Sequence, residues 1–162
     1  MTRIRTILVP TDFSRPADAA WRYAQMLATR FEARIHLLHV IAWPYIGDVP
    51  GTATVAMHLA DIVAESRAAA HQQLQKLIPR SGPLAGRVSM TVETGLPVDE
   101  ILKQIRRKRV DLIVMGTHGR GFVEHLLLGS VAERLVRRSP VPVVTIHGRA
   151  RAAKAIRRRR HG

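Results

Sequence analysis

The sequence predicts an α/β fold: a single open, doubly wound sheet of five parallel strands in the order 3-2-1-4-5, with helices on both faces. Three observations carry that expectation. Short apolar, β-rich runs alternate along the chain with segments of helical periodicity, the pattern of consecutive βα units. The runs are nearly continuous in apolar residues rather than alternating, as Leu112 to Met115 show, which suits strands covered on both faces. The chain has 162 residues, 46% of them apolar, the usual size for one compact domain with its own core.

The first strand is read over "IRTILVP" (4–10). A helix follows, with Ser14 as N-cap and Pro16 in the first turn. Ala17, Ala20, Ala24, Leu27, Ala28 and Phe31 recur along it at three- and four-residue steps as a core face. "RIHLLHV" (34–40) is the second strand. The loop at 42–52, with two prolines and two glycines, is placed to act as a lid. The second helix, from about Val55 to Ile78, turns Leu59, Ile62, Ala70, Leu74, Leu77 and Ile78 inward. "RVSMTVE" (87–93) is the third strand. In the third helix, Val98 to Lys108, Asp99 and Glu100 stand at the start and Arg106, Arg107 and Lys108 at the end, charges that the helix dipole explains without a functional role. "VDLIVMG" (110–116), a helix opening at Gly129 and Ser130, and "VPVVTI" (141–146) complete the series. Such sheets take ligands beyond the carboxyl ends of the strands where the strand order reverses, here between strands one and four.

The net charge of +14 is unevenly placed. Seven of the positive charges lie from Arg149 onward in a segment without acids, so residues 1–148 form the expected domain and 149–162 a basic tail expected to be disordered. Cysteine is absent, which excludes disulfides, thiolate nucleophiles and cysteine zinc sites and fits a reducing compartment. The apolar run Ile7 to Val9 ends at Pro10 and is too short for a signal peptide or membrane span, so a cytoplasmic location is expected.

The glycines carry the functional signal. The first β-to-α turn, "VPTDFSRP", has none, whereas a dinucleotide fingerprint would place G-x-G-x-x-G there. Four of the eleven glycines instead fall within fourteen positions after the fourth strand, with no Gly-Lys-Ser/Thr ending of a P-loop. Gly116, Gly119 and Gly129 can bring backbone amides close to an anion. The helix opening at Gly129 and Ser130 adds its free amides and positive dipole end, so the loop suits a polyphosphate.

"GTHGRGFVEHLLLGS" resembles the G-x2-G-x9-G-S/T motif of the ATP-binding branch of the universal stress protein family without a gap. "ILVPTDFS" (7–14), "LLHV" (37–40), "DLIVMGTHGRG" (111–121) and "SPVPVVTI" (139–146) resemble its first, second, fourth and last strands and their turns. The resemblance implies that Asp12 and Val40 meet the adenine, that Pro10 and Thr11 shape its pocket, and that Met115 and Gly116 border the ribose. Gly119, Arg120, Gly129, Ser130 and Val131 are then the phosphate neighbours. ATP is the implied ligand, with Mg²⁺ carried on the triphosphate.

Several residues have a second reading. Asp12 also suits a turn in which its side chain bonds its own backbone. Ser130 with Glu133 also reads as S-x-x-E, a capping box. His118 and His125 have no partner ligands at metal-site spacing and are assigned neither metal nor catalysis. His36, His39 and His58 carry no motif and are assigned to packing or surface.

No general base, activated nucleophile or carboxylate pair is recognisable beside the phosphates, and Arg120 alone is a poor basis for hydrolysis. The expected activity is that of a nucleotide-dependent stress-response sensor or regulator with slow or no hydrolysis. The resemblance also implies a homodimer paired through 141–146. Two alternatives stand beside this reading: nonspecific nucleic-acid or polyanion binding through the tail, and an ATP-consuming hydrolase or transferase.

Overall fold

The computed structural model describes residues 3–42, 52–117 and 128–148, with side chains of the second helix from residue 59 onward. The tail and the rest of the 42–52 loop lie outside the described residues. The order is β1 (Thr6–Pro10), α1 (Arg15–Phe31), β2 (Arg34–Ala42), α2 (Thr52–Leu77), β3 (Val88–Gly95), α3 (Pro97–Lys108), β4 (Leu112–Gly116), α4 (Ser130–Arg138) and β5 (Val143–Ile146). The five strands form one parallel sheet ordered β3-β2-β1-β4-β5, as the alternating pattern predicts. β2 runs past β1, since Pro10 pairs with Leu38 while β2 continues to Ala42.

Local chemistry starts and stops the helices. Ser14 is extended at φ −81°, ψ 165°, and its Oγ accepts from the Ala17 amide at 3.4 Å, with Pro16 in the first turn. The helix ends where Glu32 enters the left-handed region at φ 56°. Arg109, at φ 50°, ends α3 in the same way.

The sheet separates two cores. Ile7, Val9, Ile35, Leu37, Leu112 and Val114 face α1 and α2, which contribute Ala20, Trp21, Ala24, Ala28, Ala70 and Leu74. Alanines at the α1 contact let the helix lie close on the strands. Leu8, Leu38, Ile113 and Met115 face the other way, onto Ile101 and Ile105 of α3 and Ala132 and Leu135 of α4.

Two expected core residues are exposed. Phe31 is in phase with the α1 core face but is 43% exposed, since it ends the helix and lines the open cavity at the amino edge of the sheet. Ile62 is 57% exposed: it stands eight residues before Ala70, about 80° out of phase at 3.6 residues per turn, whereas the half-buried Val63 is nearly in phase with Ala70.

At the carboxyl edge, Gly116 lies against the start of α1. A Cβ there would stand 2.8 Å from the Pro16 carbonyl carbon and Cβ and 2.9 Å from the Ala17 nitrogen. Two of these three atoms are backbone and cannot swing aside, so Gly116 is required by packing.

His36 is buried in β2 on the α3 side. Its Nδ1 lies 2.8 Å from Ser89 Oγ and its Nε2 3.1 Å from Thr91 Oγ1, both on β3. Burial, with repulsion from Lys108 of α3 added, lowers its pKa from 6.5 to about 4. It is a packed, hydrogen-bonded residue, consistent with its lack of a motif.

Two outcomes follow from these packing constraints. Gly116→Ala should lower the unfolding free energy by roughly 1 to 3 kcal/mol in urea titrations. The unfolded His36 takes up its proton near pH 6.5 and the folded one only near pH 4, so its stabilising contribution is full above 6.5 and falls away as the pH drops toward 4. The loss amounts to about 3 kcal/mol. His36→Gln should therefore show a shallower decline than the parent between pH 6.5 and 4, measured as the difference between the two denaturation series.

Candidate functional site at the carboxyl edge of the sheet

The site forms where β1 and β4 lie side by side and their following helices depart to opposite faces. β1 hands over to a turn held by a backbone bond to β2 and by polar side chains. The Thr11 amide donates to the Leu38 carbonyl at 2.8 Å, which keeps the turn along β2. The Phe13 amide donates to Thr11 Oγ1 and the Ser14 amide to Asp12 Oδ1, each at 3.1 Å. Asp12 thus has the turn role that its residue type suggested. A carboxylate accepts several hydrogen bonds, so that role is compatible with a ligand contact.

Phe13 occupies φ 62°, an unusual conformation for a bulky side chain. It is stabilised by Thr11 Oγ1 and by its ring, whose centroid lies 4.7 Å from that of His39. His39 Nδ1 donates to the Thr11 carbonyl at 2.8 Å. His39 is therefore part of the wall of this turn, a place that its sequence neighbourhood did not reveal. The available signal was its position directly before Val40, at the end of a strand that outruns its neighbour.

On the β4 side, Gly116 packs on Pro16, and the buried Thr117 donates its amide to the Ile146 carbonyl at 3.0 Å. The Gly129 amide returns to the Thr117 carbonyl at 2.6 Å and so seats the start of α4 on the end of β4.

Gly129, not Ser130, is the N-cap: it is extended at φ −70°, ψ 155°, and Ser130 is the first helical residue. The capping-box expectation is therefore corrected. A capping hydroxyl must belong to the extended residue before the helix, and glycine holds that place with no side-chain oxygen to accept from the first-turn amides. The first intrahelical bond runs from the Glu133 amide to the Gly129 carbonyl at 2.9 Å. The amides of Ser130, Val131 and Ala132 consequently face out of the helix end with no carbonyl within the helix to receive them. Glu133 pairs with Arg137 at 3.3 Å.

Val40, Met115 and Val131 are brought together in one apolar cluster with Leu8 and Leu38 beneath the edge. Met115 is only 6% exposed, so what it presents at the edge is its backbone. Gly119 and Arg120, like His118 and His125, lie outside the described residues. Among the described residues, no three His, Cys, Asp or Glu side chains gather as a metal site, and no helix is long and apolar enough to cross a membrane.

A glycine-capped helix facing a polar turn across a β1/β4 junction is the geometry expected of the family that the motifs resemble, and the sequence model of that family, described as the universal stress protein family, matches residues 3–147. The chain belongs to the universal stress protein family. One relative is the universal stress protein MJ0577 of Methanocaldococcus jannaschii, 28% identical over 152 residues that cover 88% of this chain and 94% of its own. The solved structure of MJ0577 superposes with a TM-score of 0.75 at 26% identity, covering 90% of this chain and 97% of that one. Universal stress protein UspA from Lactobacillus plantarum gives a TM-score of 0.72 at 27% identity, with 90% and 99% covered. A universal stress protein solved in complex with cAMP gives a TM-score of 0.54 at 26% identity, with 91% and 99% covered.

Proposed function

We propose that this universal stress protein is a nucleotide-dependent regulator that takes ATP at the carboxyl edge between β1 and β4, with Mg²⁺ carried on the phosphates. The observation that carries the reading is the start of α4. Among the described residues, no side chain caps its first-turn amides, which open at the switch point of the sheet, where anions are best received. A solved family member in complex with cAMP supports nucleotide as the ligand class.

In this reading Asp12 and Val40 meet the adenine beside Pro10 and Thr11, and the backbone at Met115 and Gly116 borders the ribose. Gly119, Arg120, Gly129, Ser130 and Val131 surround the phosphates. Bound ATP orders the segment from 116 to 129, and a partner reads the ordered state. One guanidinium, Arg120, without a water-positioning residue gives slow hydrolysis at most. β5 is the outer strand next to β4, and its half-exposed valines suit pairing with a second copy across a twofold axis.

Gly129→Asp tests the phosphate position. The φ −70°, ψ 155° backbone accepts aspartate, which caps the helix and leaves stability equal or higher by a few tenths of a kcal/mol. The same carboxylate occupies the first-turn amides and repels phosphate, so calorimetric affinity for Mg·ATP should fall at least about tenfold. Unchanged affinity in Gly129→Asp would place the nucleotide elsewhere, and a parent protein that binds no nucleotide would refute the reading.

A further inference from the structure

At the opposite pole of the sheet, where β1, β2 and β4 begin, lies an open cavity of about 590 Å³. Its lining is strongly basic: Arg3, Arg5, Arg34, Lys108 and Arg109 stand against only Glu32 and Asp111. Both carboxylates are already engaged. Glu32 pairs with Arg3 at 3.8 Å. Asp111 Oδ2 accepts the Arg5 and Thr6 amides at 2.8 and 2.9 Å and ties the start of β4 to β1. Among the described residues, no carboxylate lies within ion-pair distance of Arg5, Arg34, Lys108 or Arg109.

Helix dipoles account for only part of this charge. Lys108 and Arg109 stand at the carboxyl end of α3, where cations are favoured. Arg5 precedes β1 and Arg34 opens β2, and neither has such a role. Their backbones are fixed side by side, the Arg34 amide donating to the Arg5 carbonyl at 2.8 Å, so both residues are anchored at the rim of the cavity they line. The five cations outnumber the two carboxylates of the lining, and a multiply charged anion offsets the excess positive charge.

We infer that this amino-edge cavity is a second ligand site, separate from the nucleotide edge, that takes a small polyphosphate. Guanidinium groups match phosphate oxygens in pairs. The volume is that of a small-molecule pocket, in the range of roughly 300 to 1,000 Å³, rather than the long track a nucleic-acid strand needs. Arg5, Arg34, Lys108 and Arg109, all in the lining, supply the cations that meet the phosphates.

The test is a titration of the full ¹⁵N-labelled chain with sodium tripolyphosphate, followed by amide chemical shifts. Saturable shifts are expected at Arg5, Thr6, Glu32, Arg34 and Arg109, and they should persist in Gly129→Asp. The double variant Arg34→Gln with Arg109→Gly should bind at least tenfold more weakly. Because Arg109 sits at φ 50°, glycine suits that position, and the melting temperature of the variant should not fall. Shifts confined to residues 129–132 or to 149–162, equal affinity in the double variant, or amino-edge shifts produced by an oligonucleotide but not by tripolyphosphate would each overturn the assignment.

Discussion

The close approach of Gly116 to the first turn of α1 is the constraint around which the carboxyl edge is built. Pro16 and Ala17 occupy the space a Cβ would need, so the end of β4 and the turn after β1 meet at van der Waals distance across the switch point. Thr117, the next residue, is then placed to reach Ile146 on one side and Gly129 on the other. Strand, turn and helix start are thereby referenced to one another by a packing contact and two hydrogen bonds. A ligand spanning the edge meets a preformed surface and has less ordering entropy to offset on binding.

Polar satisfaction explains the rest of the edge. In the turn after β1 the backbone groups find partners in Thr11 Oγ1, Asp12 Oδ1, Ser14 Oγ and His39. That side of the site is rigid and self-contained. The α4 side is different, since glycine at the N-cap supplies no side chain and, among the described residues, none caps the first-turn amides. One wall holds its own shape, and in the proposed reading the other receives negative charge. This asymmetry is the physical content of the nucleotide-binding proposal, and it assigns shape recognition to the first wall and phosphate recognition to the second.

The fold was legible in the sequence because both periodicities were strong. Apolar runs such as Leu112 to Met115 report two covered faces, and the Ser14 and Pro16 start of α1 is a purely local signal that the structure reproduces. What stayed hidden depends on distant partners or on a choice between adjacent residues. The contact of Gly116 with Pro16 joins positions a hundred residues apart. Ser130 and Glu133 match a capping pattern, yet the chain bends one residue earlier, at Gly129. Ile62 belongs to an apolar helix but not to its inward stripe. His39 has no motif, and only the hydrogen bond to the Thr11 carbonyl gives it a place in the site.

The two poles of the sheet now differ in kind. The carboxyl edge offers amides, a carboxylate and an apolar floor, whereas the amino edge offers clustered cations. The central claim concerns the first of these, and hydrogen–deuterium exchange with peptide-level mass spectrometry tests it most directly. Saturating Mg·ATP should slow exchange in peptides covering residues 11–14 and 129–132. Protection absent from 129–132, or appearing only at the amino edge, would contradict a phosphate site at the start of α4.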